Sequence, residues 1–217
     1  MKLYHFIKAK HGIQDIKKKH IKITQIDELN DPFEFSVCYL SDSINQNVLE
    51  KAIETVFKNK KGIICFSRNW KNPVQWAHYA DNYRGLCLGF DIVNDKDLSE
   101  VQYVENRISL DNHLSKNLDD PKLMELMINN FKTKFKHWQY EEEFRLFSPL
   151  TNKHCGHYFL IFSDNIKLKE VFIGLRSRIA PKKIKKALGD MASEVEIFET
   201  RISNNSFEIE KNPGSGL

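Results

Sequence analysis

CFSRNWKNPVQWAHYADNYRGLCLGFD, residues 65–91, decides how the chain reads. It opens at the end of a continuous apolar run, GIICFS at 62–67, of the kind found in strands buried on both faces. Asn72 is a capping residue type, and Pro73 suits the first position of a helix. Trp76, Tyr79, Ala80 and Tyr83 follow at i, i+3, i+4 and i+7, one face of that helix, and Gly85 is expected to stop it. LCLGFDI at 86–92 is then a second strand. The stretch is therefore strand, helix, strand, with polar and aromatic groups gathered at the joints.

Working outward, further strands are expected at 3–6, 21–23, 140–147, 157–162, 168–174, 195–202 and 206–211. Helices are expected over 11–19, 45–58, 121–138 and 181–188. The helix at 121–138 is read from Pro121 at its start and a stripe of Met124, Met127, Phe131, Phe135 and Trp138. Several strands follow one another without a helix between them. The fold class is therefore α+β, with mixed, mostly antiparallel sheet and packed helices. One domain is expected over 1–211, and NPGSGL at 212–217 reads as a flexible tail.

The 217 residues are 41% hydrophobic and 29% charged, with a net charge of +4, enough apolar content for a core and only a mild pull on polyanions. No run of 18 apolar residues is present, so no membrane partner is expected. The first residues lack the apolar segment of a signal peptide. With that start, the scattered Cys38, Cys65, Cys87 and Cys155 read as reduced thiols, and a cytoplasmic location is expected.

The sharpest chemical signal is YEEEFRLF at 140–147. Read as a strand, it sets Glu141, Glu143 and Arg145 on one face and turns Tyr140, Glu142 and Phe144 to the other. Such a face is either solvated, with an ion pair of little value, or a carboxylate pair held in a cleft against a sugar or phosphate. His5, between Tyr4 and Phe6, is either a hydrogen-bonded core imidazole or a contact for a ligand hydroxyl. Ser67 ends its strand, Arg68 follows in a loop, and Trp76, His78 and Tyr79 sit on the helix; all are candidate ligand contacts. Arg145 is expected to pair with Glu143 or with Asp31 or Glu34 of the NDPFEF turn.

Other groupings are weaker. His154, Cys155 and His157 are zinc-ligand types but lack a second pair at finger spacing, so no metal is expected. Arg176, Arg178, Lys182, Lys183, Lys185 and Lys186 form either a solvated helix face or a nucleic-acid contact. Neither a phosphate-binding loop, a dinucleotide fingerprint nor a nucleophile elbow is present.

LYHF, NDPFEF, CFSRN…WAHYADNYRGLCLGFD, WQYEEEFRLF and VFIG, in that order and reaching to about residue 200, resemble the landmarks of the bacterial family called domain of unknown function 2971. More distantly, a first-strand His, a strand ending in Ser and a late Glu-x-Glu are similar to ADP-ribosyltransferases. That resemblance implies a split sheet and NAD+ as substrate. His5 and then Ser67 or Tyr79 would position the dinucleotide. Glu143, with Glu141 as its partner, would be catalytic. It also implies a toxin or anti-phage effector. A non-catalytic nucleotide- or nucleic-acid-binding module and a metal-dependent nuclease using Glu141 and Glu143 are the alternatives.

Overall fold

The first strand, β1 (Lys2–Ile7), lies inside the main sheet rather than at its edge. It pairs antiparallel along its whole length with β5 (Leu86–Ile92). The computed structural model describes residues 1–34, 36–42, 47, 51, 60–93, 96–111, 125 and 128–214. The helix expected at 45–58 and most of the one at 121–138 lie outside these residues.

After α1 (Ala9–Lys18) and β2 (His20–Ile23), the short β3 (Cys38–Tyr39) and then β4 (Lys61–Ser67) follow. The helix α2 (Pro73–Tyr79) leads into β5. Next come β6 (Leu98–Glu100), β7 (Gln102–Val104), β8 (Ile108–Ser109) and β9 (Thr133–Phe135). β10 (Glu143–Pro149), the hairpin of β11 (Lys153–His154) and β12 (His157–Ile161), and β13 (Ile166–Ile173) follow. α3 (Pro181–Leu188), β14 (Glu196–Ile202) and β15 (Ile209–Lys211) complete the order. Among the described residues the main sheet has eight strands, β15-β14-β13-β5-β1-β4-β10-β6, antiparallel except for the β13–β14 pair, whose crossover carries α3. The α+β class therefore holds.

Strand alternation builds two layers on this sheet. Leu3 and Ile7 face a core with Leu88, Phe90 and Val171, onto which α1 brings Ile16 and α3 brings Ile184 and Leu188. Tyr4 and Phe6 face the other side, where α2 inserts the fully buried Trp76. A third cluster, Cys38, Leu40, Ile63, Leu110 and Phe131, lies beyond β4.

Three local expectations are corrected. α2 ends at Tyr79, because Asp81, Asn82 and Tyr83 adopt left-handed backbone at φ of 49°, 50° and 68°. Gly85 serves a close approach instead, since a Cβ there would lie 2.3 Å from the Ile7 carbonyl oxygen. The helical stripe at 121–138 fails after residue 130: Thr133–Phe135 is a strand paired parallel with β7, and Lys136–Glu141 is a 3₁₀ helix. YEEEFRLF is not one strand either. Tyr140 and Glu141 end the 3₁₀ helix, Glu142 is left-handed at φ 44°, and β10 starts at Glu143.

The sheet has one weak seam. β1 and β4 are in register only at Tyr4 and Ser67. Beyond that pair the strands diverge, and Thr24 takes over the pairing with Ile63, 2.9 Å in both directions. The carbonyl of Cys65 between these points is met by a side chain, the Nδ1 of His5 at 2.9 Å. Among the described residues, no helix is long and apolar enough to cross a membrane.

Candidate functional site

A cavity of about 120 Å³ opens in this seam. His5 and Tyr4 come from β1, Cys65 and Ser67 from β4, Gln75 and Tyr79 from α2, and Glu34 from the turn after β2. Lys134, Glu141 and Glu143 close it. Residues far apart in the chain therefore meet where the sheet splays.

Its floor is a network of five buried charged side chains. Arg145, fully buried, donates from Nε to Glu143 Oε1 at 2.9 Å and from Nη2 to both Glu34 oxygens at 2.9 and 2.8 Å. Its Nη1 donates to the Phe131 carbonyl at 3.0 Å. Lys134 Nζ lies 2.7 Å from Glu141, 3.2 Å from Glu34 and 3.3 Å from Glu143, beneath the Trp138 ring at 4.8 Å. Three carboxylates against two cations leave this network with one negative charge when all are ionised. Arg145 thus pairs as expected, with Glu143 and Glu34 together.

The two candidate catalytic carboxylates differ electrostatically. Burial pushes the Glu143 carboxyl up, but Arg145 and Lys134 overcome it and bring it down to about 2. Burial raises Glu141, Lys134 only partly offsets that, and adjacent Glu143 raises it further. Tyr79 donates a short hydrogen bond to Glu141 and accepts one from Asn30 Nδ2 at 3.4 Å. Burial, then Glu141, holds the Tyr79 phenol well above its ordinary range. Glu143 is thus a fixed negative charge, and Glu141–Tyr79 is a pair that can hold a proton. The His5 imidazole is pushed down by burial and so is neutral, Nδ1 donating to Cys65.

Not every candidate reaches the cavity. Trp76 is core: its Nε1 donates to the Trp70 carbonyl at 2.6 Å and its ring meets Phe6 edge-on. His78 is exposed, its Nδ1 3.0 Å from the Tyr140 hydroxyl, so Tyr140 does not enter the core as expected. Arg68 reaches Glu100 at 3.3 Å over the Phe144 ring, and Asp31 accepts from the Phe33 N–H at 2.9 Å to form its turn. Ser67 lines the cavity, but its hydroxyl donates to the Asn69 carbonyl and accepts from Asn69 and Gln75. Glu142 is exposed rather than on the apolar face, and accepts from Asn69 Nδ2 at 3.0 Å.

Two residues of the site escaped the sequence reading. Gln75 Nε2, buried, braces Ser67 Oγ at 2.9 Å and the carbonyls of Asn69, Tyr140 and Glu141 at 3.2 to 3.4 Å. Its signal was the Asn72-x-x-Gln75 spacing of a capping box. Lys134 was hidden by the helical stripe, although FKTKF at 131–135 alternates with a strand's period of two.

A divalent ion fits poorly here, because the Lys134 ammonium already sits among the three carboxylates that would bind it. Among the described residues, no cluster of His, Cys, Asp and Glu is arranged to hold a metal, His154, Cys155 and His157 included. All four cysteines are free thiols. The four lysines of α3 are exposed, as are Arg178 and Arg176, the latter over the Tyr83 ring at 5.2 Å.

Fold and site define an α+β protein with a buried charge network at a sheet seam. Residues 75–146 match the family described as Protein of unknown function (DUF2971), a likeness over part of the chain. The matched segment holds Gln75, Tyr79, Lys134, Glu141, Glu143 and Arg145, and the family description carries no activity. Nothing matches the chain among curated proteins or among solved structures.

Proposed function

We propose that the seam cavity is the active centre of an ADP-ribosyltransferase-like enzyme that uses NAD+. The observation that carries this reading is the convergence of His5, Tyr79, Glu141 and Glu143 on one cavity between two diverging strands. The seam is also in keeping with the split sheet that the resemblance implies. In the reaction, the bond between the ribose C1′ and the nicotinamide nitrogen breaks, and its electron pair leaves with nicotinamide. Positive charge develops on the ribose, and a nucleophile of the acceptor then attacks C1′ and gives up its proton.

Each residue has a part. Glu143, ionised at any physiological pH, stabilises the developing cation. Glu141 with Tyr79 takes the acceptor's proton. His5, neutral and fixed through Nδ1, contacts a ribose hydroxyl. A cavity of about 120 Å³ is well below the roughly 300 Å³ of an ordinary ligand site, so only one end of a dinucleotide enters it. A toxin or anti-phage role belongs to the same reading.

The test is incubation with NAD+ and cell extract, scoring free nicotinamide and labelled macromolecules. Glu143→Gln keeps the shape and removes the charge, and is expected to lower turnover at least about a hundredfold with a smaller effect on NAD+ affinity. Saturable NAD+ binding without nicotinamide release would make the protein a binding module. No NAD+ binding in calorimetry, with no toxicity on overexpression, would overturn the reading.

A further inference from the structure

His5, Phe6 and Tyr79 line a second cavity as well, on the far side of the wall they form. It measures about 560 Å³, within the range of small-molecule sites. Its composition is opposite to that of the seam. Lys8, His11 and Lys18 come from α1 and its entry, His20 from β2, and His154 and His157 from the β11–β12 hairpin. Lys22 stands among them and is already paired with Glu28 at 2.9 Å, and His157 Nδ1 lies 3.6 Å from the same carboxylate. Lys8 and Lys18 have no carboxylate within ion-pairing distance among the described residues, and Lys18 Nζ lies instead 3.2 Å from His154 Nε2. Lys18 thus meets a ring nitrogen rather than a carboxylate.

Among the described residues a single carboxyl group lines this groove, that of Asp15, only 4% exposed. Its Oδ1 lies 3.2 Å from His20 Nε2, and His20 is stacked on Phe159 at 4.0 Å. Its Oδ2 is buried and has no hydrogen-bond partner among the described residues. Leaving such an atom unpaired costs about 1–3 kcal/mol. Burial pushes Asp15 up to about 7, with Lys18 opposing.

We propose that this groove binds a phosphorylated small molecule, its phosphoryl oxygens met by Lys8, Lys18 and the imidazoles at its rim. The concave shape favours a diphosphate or nucleoside diphosphate over a nucleic-acid strand, and the lysines of α3 do not line it. The site is argued from its own residues and does not depend on the chemistry at the seam.

The experiment is calorimetric titration of the full chain at low salt with inorganic phosphate, inorganic pyrophosphate and ADP. One saturable site is expected for pyrophosphate or ADP, and phosphate alone is expected to bind more weakly. Lys18→Gln should raise that Kd about tenfold, the loss of one charge-assisted contact. Lys182→Gln on α3, which does not line the groove, should leave it unchanged. Absence of saturable binding by pyrophosphate and ADP would overturn the proposal. Equal weakening by Lys18→Gln and Lys182→Gln would do the same, by reducing it to general surface charge. Tight oligonucleotide binding that pyrophosphate fails to displace would assign the groove's charge to nucleic acid instead.

Discussion

The two cavities share a wall and follow opposite rules. At the seam each charged side chain of the network is buried and answered by another: Arg145 by Glu143 and Glu34, Lys134 by three carboxylates. In the groove Lys8 and Lys18 stand exposed, with no carboxylate within ion-pairing distance among the described residues. Buried charges must be paired at folding because water cannot return to them, whereas exposed cations can wait for a ligand. The difference teaches that a cluster of ionisable groups is not one kind of object. The seam network holds elements in place and sets two carboxyl groups apart, while the groove stores unmatched charge.

The largest test of this contrast is stability. Arg145→Met should cost about 3–5 kcal/mol in denaturant unfolding, because Glu34 and Glu143 lose their common partner in a dry site. Lys18→Gln should stay within about 0.5 kcal/mol of the parent. Arg145→Lys should also destabilise, since an ammonium cannot reach Glu143, Glu34 and the Phe131 carbonyl together. Comparable stability of Arg145→Met and Lys18→Gln would erase the distinction.

The next test is acid. Glu143 titrates lower folded than unfolded, so its contribution is complete above an ordinary carboxyl value and is lost as pH falls toward about 2. Unfolding curves from pH 5 down to pH 2 should fall more steeply for the parent than for Glu143→Gln. Asp15 has the opposite sign. It titrates higher folded than unfolded, so its contribution is complete at low pH and is lost as pH rises through about 7. The parent should therefore lose stability relative to Asp15→Asn between pH 5 and pH 8, and parallel curves would show that Asp15 titrates as an ordinary carboxyl.

The smallest expected effect is at Glu142. Left-handed backbone at φ 44° strains a residue with a Cβ by roughly 1–2 kcal/mol. Glu142→Gly should therefore be neutral or slightly stabilising by thermal unfolding, and Glu142→Gln should match the parent in stability and in any activity. A clear loss in Glu142→Gln would mean that its contact with Asn69 matters to the site.

Most of the fold was legible where periodicity was clean. GIICFS and LCLGFDI became β4 and β5, and Asn72 caps α2 by accepting from the Val74 N–H. Glu141, Glu143 and Arg145 were singled out for a wrong local reason. They were placed on one face of a continuous strand, but the turn at Glu142 is what brings Glu141 beside Glu143. The helical stripe beyond residue 130 misled because aromatic residues at helical spacing also occur in chain that doubles back, and only tertiary pairing with β7 decides between them. The groove was invisible as a site. Its residues belong to α1, β2 and a distant hairpin, and nothing in the sequence joins His154, Cys155 and His157, read only as weak zinc-ligand types, to Lys8, Asp15, Lys18 and His20. Only the pairing of Tyr158 with Ile23 and of Ile161 with His20 brings that hairpin alongside β2.

The central position of β1 also bears on how the chain is made. Its neighbours in the sheet, β4 and β5, belong to residues 61–92, so the strand leaves the ribosome long before either partner exists. α1 can close its turns at once, whereas Leu3, Tyr4 and Phe6 must wait with their ladder groups unmet. During synthesis this segment is an open edge with apolar side chains, the kind of surface that chaperones cover. The seam cavity, which also needs Lys134 and Glu143, cannot take shape until the chain has emerged past β10's first residue.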